Sequence, residues 1–417
     1  MSLSTTGDAK LSPADRRLFV ILGAPSLGLS LAVTVLATYL PLLARRFTSS
    51  TTTIGLLVGG EGLLALLVPI WAGALSDRVE SRLGRRLPFL VVAGPVAVIA
   101  LAVLPFAPSL LAMAVTVFFF YLAFFTYYAP YRALYPDLVT QGQAGRAQGI
   151  MGIFREIGLG AALVGGSLLT GLWLPLPYLV AAGVLLATTV TVVIGVRDRP
   201  EAHAPPSRAG GSPPAQVWAL VRDHRDIRRF MVANALWELT MGGLKAFTIL
   251  YLTAGLGRSL SFSAAVMGVI AMTAVIASPT AGQLADRHGP VRVMEIALAV
   301  FGLGLLVPIF SQSTVLLATA LPLIAFGAVM ALTLPYALLM RMMPAGSHGA
   351  AAGLFDLSGG AGTLLGPAIT GLAIDVLRPH FTATNGYGAM WPVVSLSTLI
   401  SIPILHGARP RPARPAP

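Results

Sequence analysis

Apolar positions gather into twelve runs, near residues 17–43, 53–75, 88–106, 109–135, 147–172, 175–196, 228–254, 263–284, 290–310, 314–340, 349–375 and 388–406. Each is close to or above the roughly 20 residues that a helix needs to cross a bilayer core. Backbone polar groups in lipid must be satisfied within the segment, so the runs predict α-helices. The connectors are short except at 197–227, where P-P-S-R-A-G-G-S-P-P at 205–214 predicts a flexible linker. Six runs precede it and six follow. The pattern predicts an all-α membrane protein of twelve transmembrane helices. Its parts are an N-terminal half at 1–196, the linker at 197–227, a C-terminal half at 228–408 and a disordered tail at 409–417.

Composition agrees. The 417 residues are 56% hydrophobic and 11% charged, where soluble domains carry about a quarter charged residues. The 44 Gly and 31 Pro would disrupt soluble helices, but neighbouring helices accommodate them in a membrane. With no Cys and six scattered His, no disulfide, thiolate site or metal cluster is expected, and no cofactor beyond a coupling ion. The net charge of +12 would suggest nucleic acid in a soluble protein. Here topology explains it, and no nucleic-acid partner is expected. Lys10, Arg16, Arg17, Arg78, Arg82, Arg85, Arg86, Arg146, most linker arginines, Arg287, Arg292, Arg341 and the tail arginines fall on one side. Only Arg45, Arg46, Arg258 and Arg378 fall on the other. This positive-inside bias puts both termini in the cytoplasm. No removable signal peptide is read at the N-terminus, so the first helix should direct insertion. The ratio of 26 Arg to 2 Lys suggests a GC-rich bacterial genome, hence an inner-membrane location. A monomer in the bilayer is expected.

The halves echo each other. Gly73-Ala74-Leu75-Ser76-Asp77-Arg78 ends the second run, and Gly282-Gln283-Leu284-Ala285-Asp286-Arg287 ends the eighth. Gly152, Phe154, Gly158 and Gly165 align with Gly353, Phe355, Gly359 and Gly366 at one constant offset. Two echoes in matching runs imply duplicated halves, with a binding site between them near the midplane.

The strongest local signal is S-D-R-V-E-S-R-L-G-R-R-L-P-F at 76–89. Asp77 lies at a helix C-terminus, where its charge opposes the dipole unless basic partners compensate. Arg78, Arg85 and Arg86 are candidates. With Gly84, Asp137, Asp286 and Arg287 they form an expected cytoplasmic gate. Positive-inside bias alone requires neither an Asp nor Gly84. At these residues the chain resembles the major facilitator superfamily, whose signature between helices 2 and 3 is G-x-x-x-D-R-x-G-R-R. The longer form looks most like the sucrose transporters and their relatives, near the glycoside-pentoside-hexuronide:cation symporters. Pro130-Tyr131-Arg132-Ala133-Leu134-Tyr135-Pro136-Asp137-Leu138 is similar to their helix 4 segment. The resemblance implies a role for Arg132 in substrate or proton coupling; an anchor paired with Asp137 is the alternative. Gly362-x-x-x-Gly366-Pro367 resembles an antiporter bending motif, but its place in helix 11 favours helix packing.

Ionisable residues within spans are costly and are functional suspects. At 1.5 Å per residue, Glu61 lies roughly 13 Å into its helix from the outside. Arg155, Glu156, Glu238 and Asp356 are placed near the same level, with Lys245 two turns beyond Glu238. A carboxyl in low dielectric exchanges a proton more readily near neutral pH, so Glu61, Glu238 and Asp356 are candidate coupling groups. Arg155 and Glu156 point in different directions, and each is expected to need its own partner. Tyr127, Tyr128, Asn234 and Trp237 offer stacking faces and hydrogen bonds to a cavity.

No nucleotide-binding loop, nucleophile–base pair or sensor domain is present. The reading is a secondary transporter of a small organic solute. Proton-coupled symport of a sugar or glycoside-like substrate leads, with sodium as the alternative ion. The mostly apolar spans keep open a proton-driven efflux antiporter of drugs or metabolites.

Overall fold

The computed structural model describes residues 13–79, 81–139, 143–196, 214–343 and 351–408. The N-terminal half comprises α1 (Pro13–Ala44), α2 (Thr51–Arg78), α3 (Leu87–Val103), α4 (Leu110–Leu138), α5 (Ala144–Gly160) and α6 (Leu176–Val196). The C-terminal half comprises α7 (Arg225–Leu250), α8 (Leu260–His288), α9 (Pro290–Gly304), α10 (Thr314–Thr333), α11 (Ala351–Leu377) and α12 (Met390–His406). A π turn at Ala161–Gly165 carries α5 on into Gly166–Leu172, and another at Tyr251–Gly255 extends α7. Below, the outer end is the one bearing the α1–α2 and α7–α8 connections, following the positive-inside bias.

Among the described residues, eleven helices are long and apolar enough to cross a membrane. The twelfth of the expected set is α7. It falls short of that standard because it carries Arg225, Asp226, Arg228, Arg229, Glu238 and Lys245. It is nonetheless enclosed, packing along α11 and α12.

The linker differs from expectation. Residues 197–213 lie outside the described set, but Pro214–Asp223 forms a helix and α7 starts at Arg225. Leu220 is buried there against Ile227 and Phe230, while Trp218 is exposed. An apolar stripe thus ties the end of the linker to the C-terminal half. The tail at 409–417 lies outside the described residues.

The two halves repeat one packing plan. In the first, α1 packs on α5 and α6, α2 on α4, and α3 on α4 and α6. In the second, α7 packs on α11 and α12, α8 on α10, and α9 on α10 and α12. Close packing accounts for the glycine echo only at Gly158 and Gly366, since Gly152, Gly165 and Gly353 meet nothing within 4 Å. A Cβ on Gly158 would meet the α1 backbone at Leu27 and Leu31, and one on Gly359 would approach Glu238 and Asn234 of α7. Gly362 and Gly366 sit against the α7 backbone at Ala235 and Leu239. That makes the GxxxG segment a packing surface.

Between halves, the main contact is α2 against α11. Gly55 lies on Pro367, Gly59 and Gly62 on Leu364, Gly360 on Leu66, and Gly371 on Thr51. These pairs occupy the outer and middle parts of both helices. On the opposite side, α8 packs on Gly166–Leu172 and the π turn of α5, and barely touches Ala144–Gly160. The halves therefore meet outside and separate toward the inside, an inward-open arrangement.

The seam generates a paired prediction. Gly59→Ala places a methyl into the Leu364 carbonyl, whereas Gly60→Ala meets nothing within 4 Å. Overpacking should lower stability by about 1–3 kcal/mol for Gly59→Ala. Gly60→Ala should be neutral or stabilising, since Ala exceeds Gly in helix propensity by about 1 kcal/mol. Thermal unfolding of the two purified variants checks this.

Candidate functional site

The cytoplasmic loop between α2 and α3 turns through Gly84, whose φ is 84°. Only Gly adopts that conformation without strain. The turn closes through the Gly84 amide donating to the Ser81 carbonyl at 3.0 Å and the Ser81 hydroxyl donating to the Gly84 carbonyl at 2.7 Å. It swings Arg85 and Arg86 back under the bundle, where both are buried. Arg86 is the hub. It donates to the Ser76 hydroxyl at 2.5 Å, pairs with Asp77 at 2.6 Å, and reaches Asp137 of α4 at 3.3 Å. Arg85 adds a 3.6 Å contact to Asp137.

Thus Asp77, Arg85, Arg86 and Asp137 assemble as the sequence suggested, wholly within the N-terminal half. Asp137 serves Arg85 and Arg86, so the alternative anchor for Arg132 is not what the structure shows. Arg78 and Arg287 are exposed at their helix ends, and the side chain of Asp286 lies outside the described residues.

Deeper in, charges from the two halves meet. Glu61 of α2 accepts from the Tyr121 hydroxyl of α4 at 3.4 Å. Glu238 of α7 lies beside the Thr363 side chain of α11. Lys245 interacts electrostatically with both carboxylates, and the carboxylates with each other. Lys245 is exposed and both glutamates are half-buried, so all three face open space between the halves. The long Lys stem explains how a residue two turns above Glu238 reaches the pair.

Arg132 and Asp356 form a second cross-half couple. They interact electrostatically, both are exposed, and Arg132 also lies 5.6 Å from the Tyr128 ring. The expected single level therefore splits in two. Asp356 precedes Thr363 by seven residues, about 10 Å along α11 toward the inside. The Glu61–Lys245–Glu238 group sits level with the middle of the α2–α11 seam, where Gly62 lies on Leu364, and Arg132–Asp356 sits nearer the cytoplasmic mouth.

Other expected site residues have different surroundings. Arg155 and Glu156 pair with each other at 3.0 Å on an exposed face of α5, instead of each finding a separate partner. Adjacent Cβ atoms diverge on a helix, but these long side chains bend back to meet. Asn234 is buried, donating to Ser358 at 2.9 Å and thereby tying α7 to α11. Trp237 is buried, donating to Ser401 of α12 at 2.7 Å and packing edge-on against Phe230. Tyr127 is buried beside Thr189. These three residues build the walls behind the cavity. Tyr121 and Thr363 were missed; the only sequence signal for them was a polar group in an apolar span.

Removing one partner of a buried charge pair costs about 3–5 kcal/mol, because the other is left uncompensated. Asp137→Ala takes the carboxylate from buried Arg85, while Arg86 keeps Asp77, and should lose about that much stability in thermal or denaturant unfolding. Arg78→Ala, at an exposed position, should stay within about 0.5 kcal/mol of the parent.

Comparison with known proteins follows the same lines. A search of curated protein sequences finds no match. Among solved structures, the chain is similar to a bacterial homolog of the human lysosomal transporter Spinster in its inward-facing, unoccupied conformation. The two share 14% identity over 96% of each chain, with a TM-score of 0.74. It is similar to the nucleoside transporter NupG at 14% identity, over 95% of this chain and 99% of that one, with a TM-score of 0.75. At such identities the likeness shows the fold. The Major Facilitator Superfamily model matches residues 26–367 and 239–417. Two repeated six-helix halves and a family match over most of the sequence lead to one conclusion: this chain belongs to the major facilitator superfamily, and is a membrane transporter and not an enzyme.

Proposed function

We propose that this transporter couples a small organic solute to protons by alternating access, and that it is a symporter of a sugar or glycoside-like substrate in a bacterial inner membrane. The observation that carries the coupling is the Glu61–Lys245–Glu238 group. One carboxylate belongs to each half, and one ammonium lies within electrostatic reach of both. Two negative charges and one positive leave one net negative charge between the halves. A proton neutralises it.

When the halves rock, the distance between Glu61 and Lys245 changes, while Glu238 and Lys245 stay on one helix. The affinity of the group for a proton therefore depends on which side is open, and that dependence is what coupling requires. Arg132 and Asp356 form a polar pair at the mouth, where a hydroxyl-rich solute finds both donors and acceptors. The substrate class rests on the resemblance at 76–89 and 130–138. The mostly apolar spans favour the competing reading, proton-driven efflux of a drug or metabolite, which uses the same site with proton and solute moving in opposite directions.

Vesicles of defined orientation with imposed gradients test this. An outside-acid gradient should drive accumulation of the substrate, and a sodium gradient alone should not. Accumulation driven only by an inside-acid gradient would sink symport. Glu61→Gln and Glu238→Gln, assayed separately, should each reduce gradient-driven accumulation to background while substrate exchange at equal pH persists. Full gradient-driven transport in both variants would overturn the coupling assignment.

A further inference from the structure

We propose that Asp375 is an outer gate residue of the transport cycle: a carboxylate of the C-terminal half that caps the first turn of α2 in the N-terminal half and must release it before the cavity opens outward. The proposal rests on the alternating-access reading above.

Asp375 lies near the outer end of α11. Its Oδ1 accepts from the Thr51 amide at 3.0 Å, and its Oδ2 from the Thr52 amide at 2.8 Å. The Ser50 and Thr52 hydroxyls donate to Oδ2 at 2.9 and 2.8 Å. The Thr51 hydroxyl sits 2.8 Å from Oδ1 and 2.7 Å from the Gly371 carbonyl, and its one proton serves either. All these donors belong to the other half. A carboxylate at a helix N-terminus meets unsatisfied N–H groups and the positive end of the dipole, both favourable. The glycine seam continues directly beneath it, beginning where Gly371 lies on Thr51.

Two features make this contact a gate rather than a tie within a fixed structure. It crosses the halves at the place where they must part, and Glu61 lies nine residues down the same helix, about 14 Å inward. Each side also keeps a partner when it breaks. Ser50 caps α2 by itself, its hydroxyl oxygen accepting from the Thr53 amide at 3.2 Å. Arg378 of the same half stays beside Asp375 at 3.2 Å. The Asp375 side chain is 24% exposed, so water replaces the lost donors. Release costs the cross-half bonds without leaving a buried orphan on either half.

The absence of native cysteine makes the test direct. Phe47→Cys and Ala383→Cys, exposed on outer connections of opposite halves, carry spin labels in lipid nanodiscs for pulsed distance measurements without substrate. Asp375→Asn turns an amide NH2 toward groups that are themselves donors. It should shift the distribution, raising the longer-distance population several-fold. Thr52→Val removes one hydroxyl contact and should shift it in the same direction by less, which keeps the idea testable if Asp375→Asn folds poorly. Distances unchanged from the parent in folded variants, even with a lowered melting temperature, would reduce the contact to a structural tie and overturn the gate. That outcome leaves the vesicle transport result untouched. Failure of the coupling reading would appear in vesicles while the labelled pair still responds.

Discussion

The two halves of this transporter meet backbone to backbone along α2 and α11, and the rest of the architecture depends on that approach. Lipid is as apolar as a leucine side chain, so no hydrophobic drive presses membrane helices together. What remains is close packing and hydrogen bonding. Gly55, Gly59, Gly62, Gly360 and Gly371 provide the first by letting each helix approach the backbone or a single side chain of the other. A seam with few interlocking side chains also resists rocking less than a knobs-into-holes interface does. The same glycines thus allow tight closure and easy separation.

Charge placement follows from where the seam ends. Ionised groups facing lipid are costly, so they collect where the halves diverge and water enters. Glu61 stands beside the middle of the seam, level with Gly62 on Leu364, Glu238 and Lys245 follow it along α7, and Asp356 stands closer to the mouth. The price of this arrangement falls on α7, which loses the hydropathy of a spanning helix. It recovers stability through partners on both sides: Asn234 with Ser358 on α11, and Trp237 with Ser401 on α12.

Periodicity and loop chemistry made the twelve helices, the repeat and the gate turn at Gly84 legible from sequence, because those features are local. The pairing of Arg86 with Asp77 and Asp137 was also within reach, since one short loop joins the elements involved. Charge depth was less legible. Counting residues from helix ends put Asp356 level with Glu61, whereas it lies seven residues inward of Thr363 on α11, about 10 Å. Side-chain length defeated the reasoning on Arg155 and Glu156, where only Cβ directions were considered. Asp375 left almost no trace. The Ser-Ser-Thr-Thr-Thr run at 49–53 is a helix-start signal, but its partner lies more than 320 residues away, and no motif announces it.

Helix α2 carries a carboxylate at each end, and the two act oppositely on its dipole. Asp77 sits at the C-terminus, where the helix repels it, and its compensation by Arg86 comes from the same half. Asp375 sits at the N-terminus, where the helix attracts it, and it belongs to the other half. In the inward-open state both ends are therefore satisfied, one internally and one across the interface. Opening outward removes only the outer contact. Asp77 stays paired with Arg86 and half exposed, its side chain 51% accessible, so the inner end of α2 does not depend on the other half.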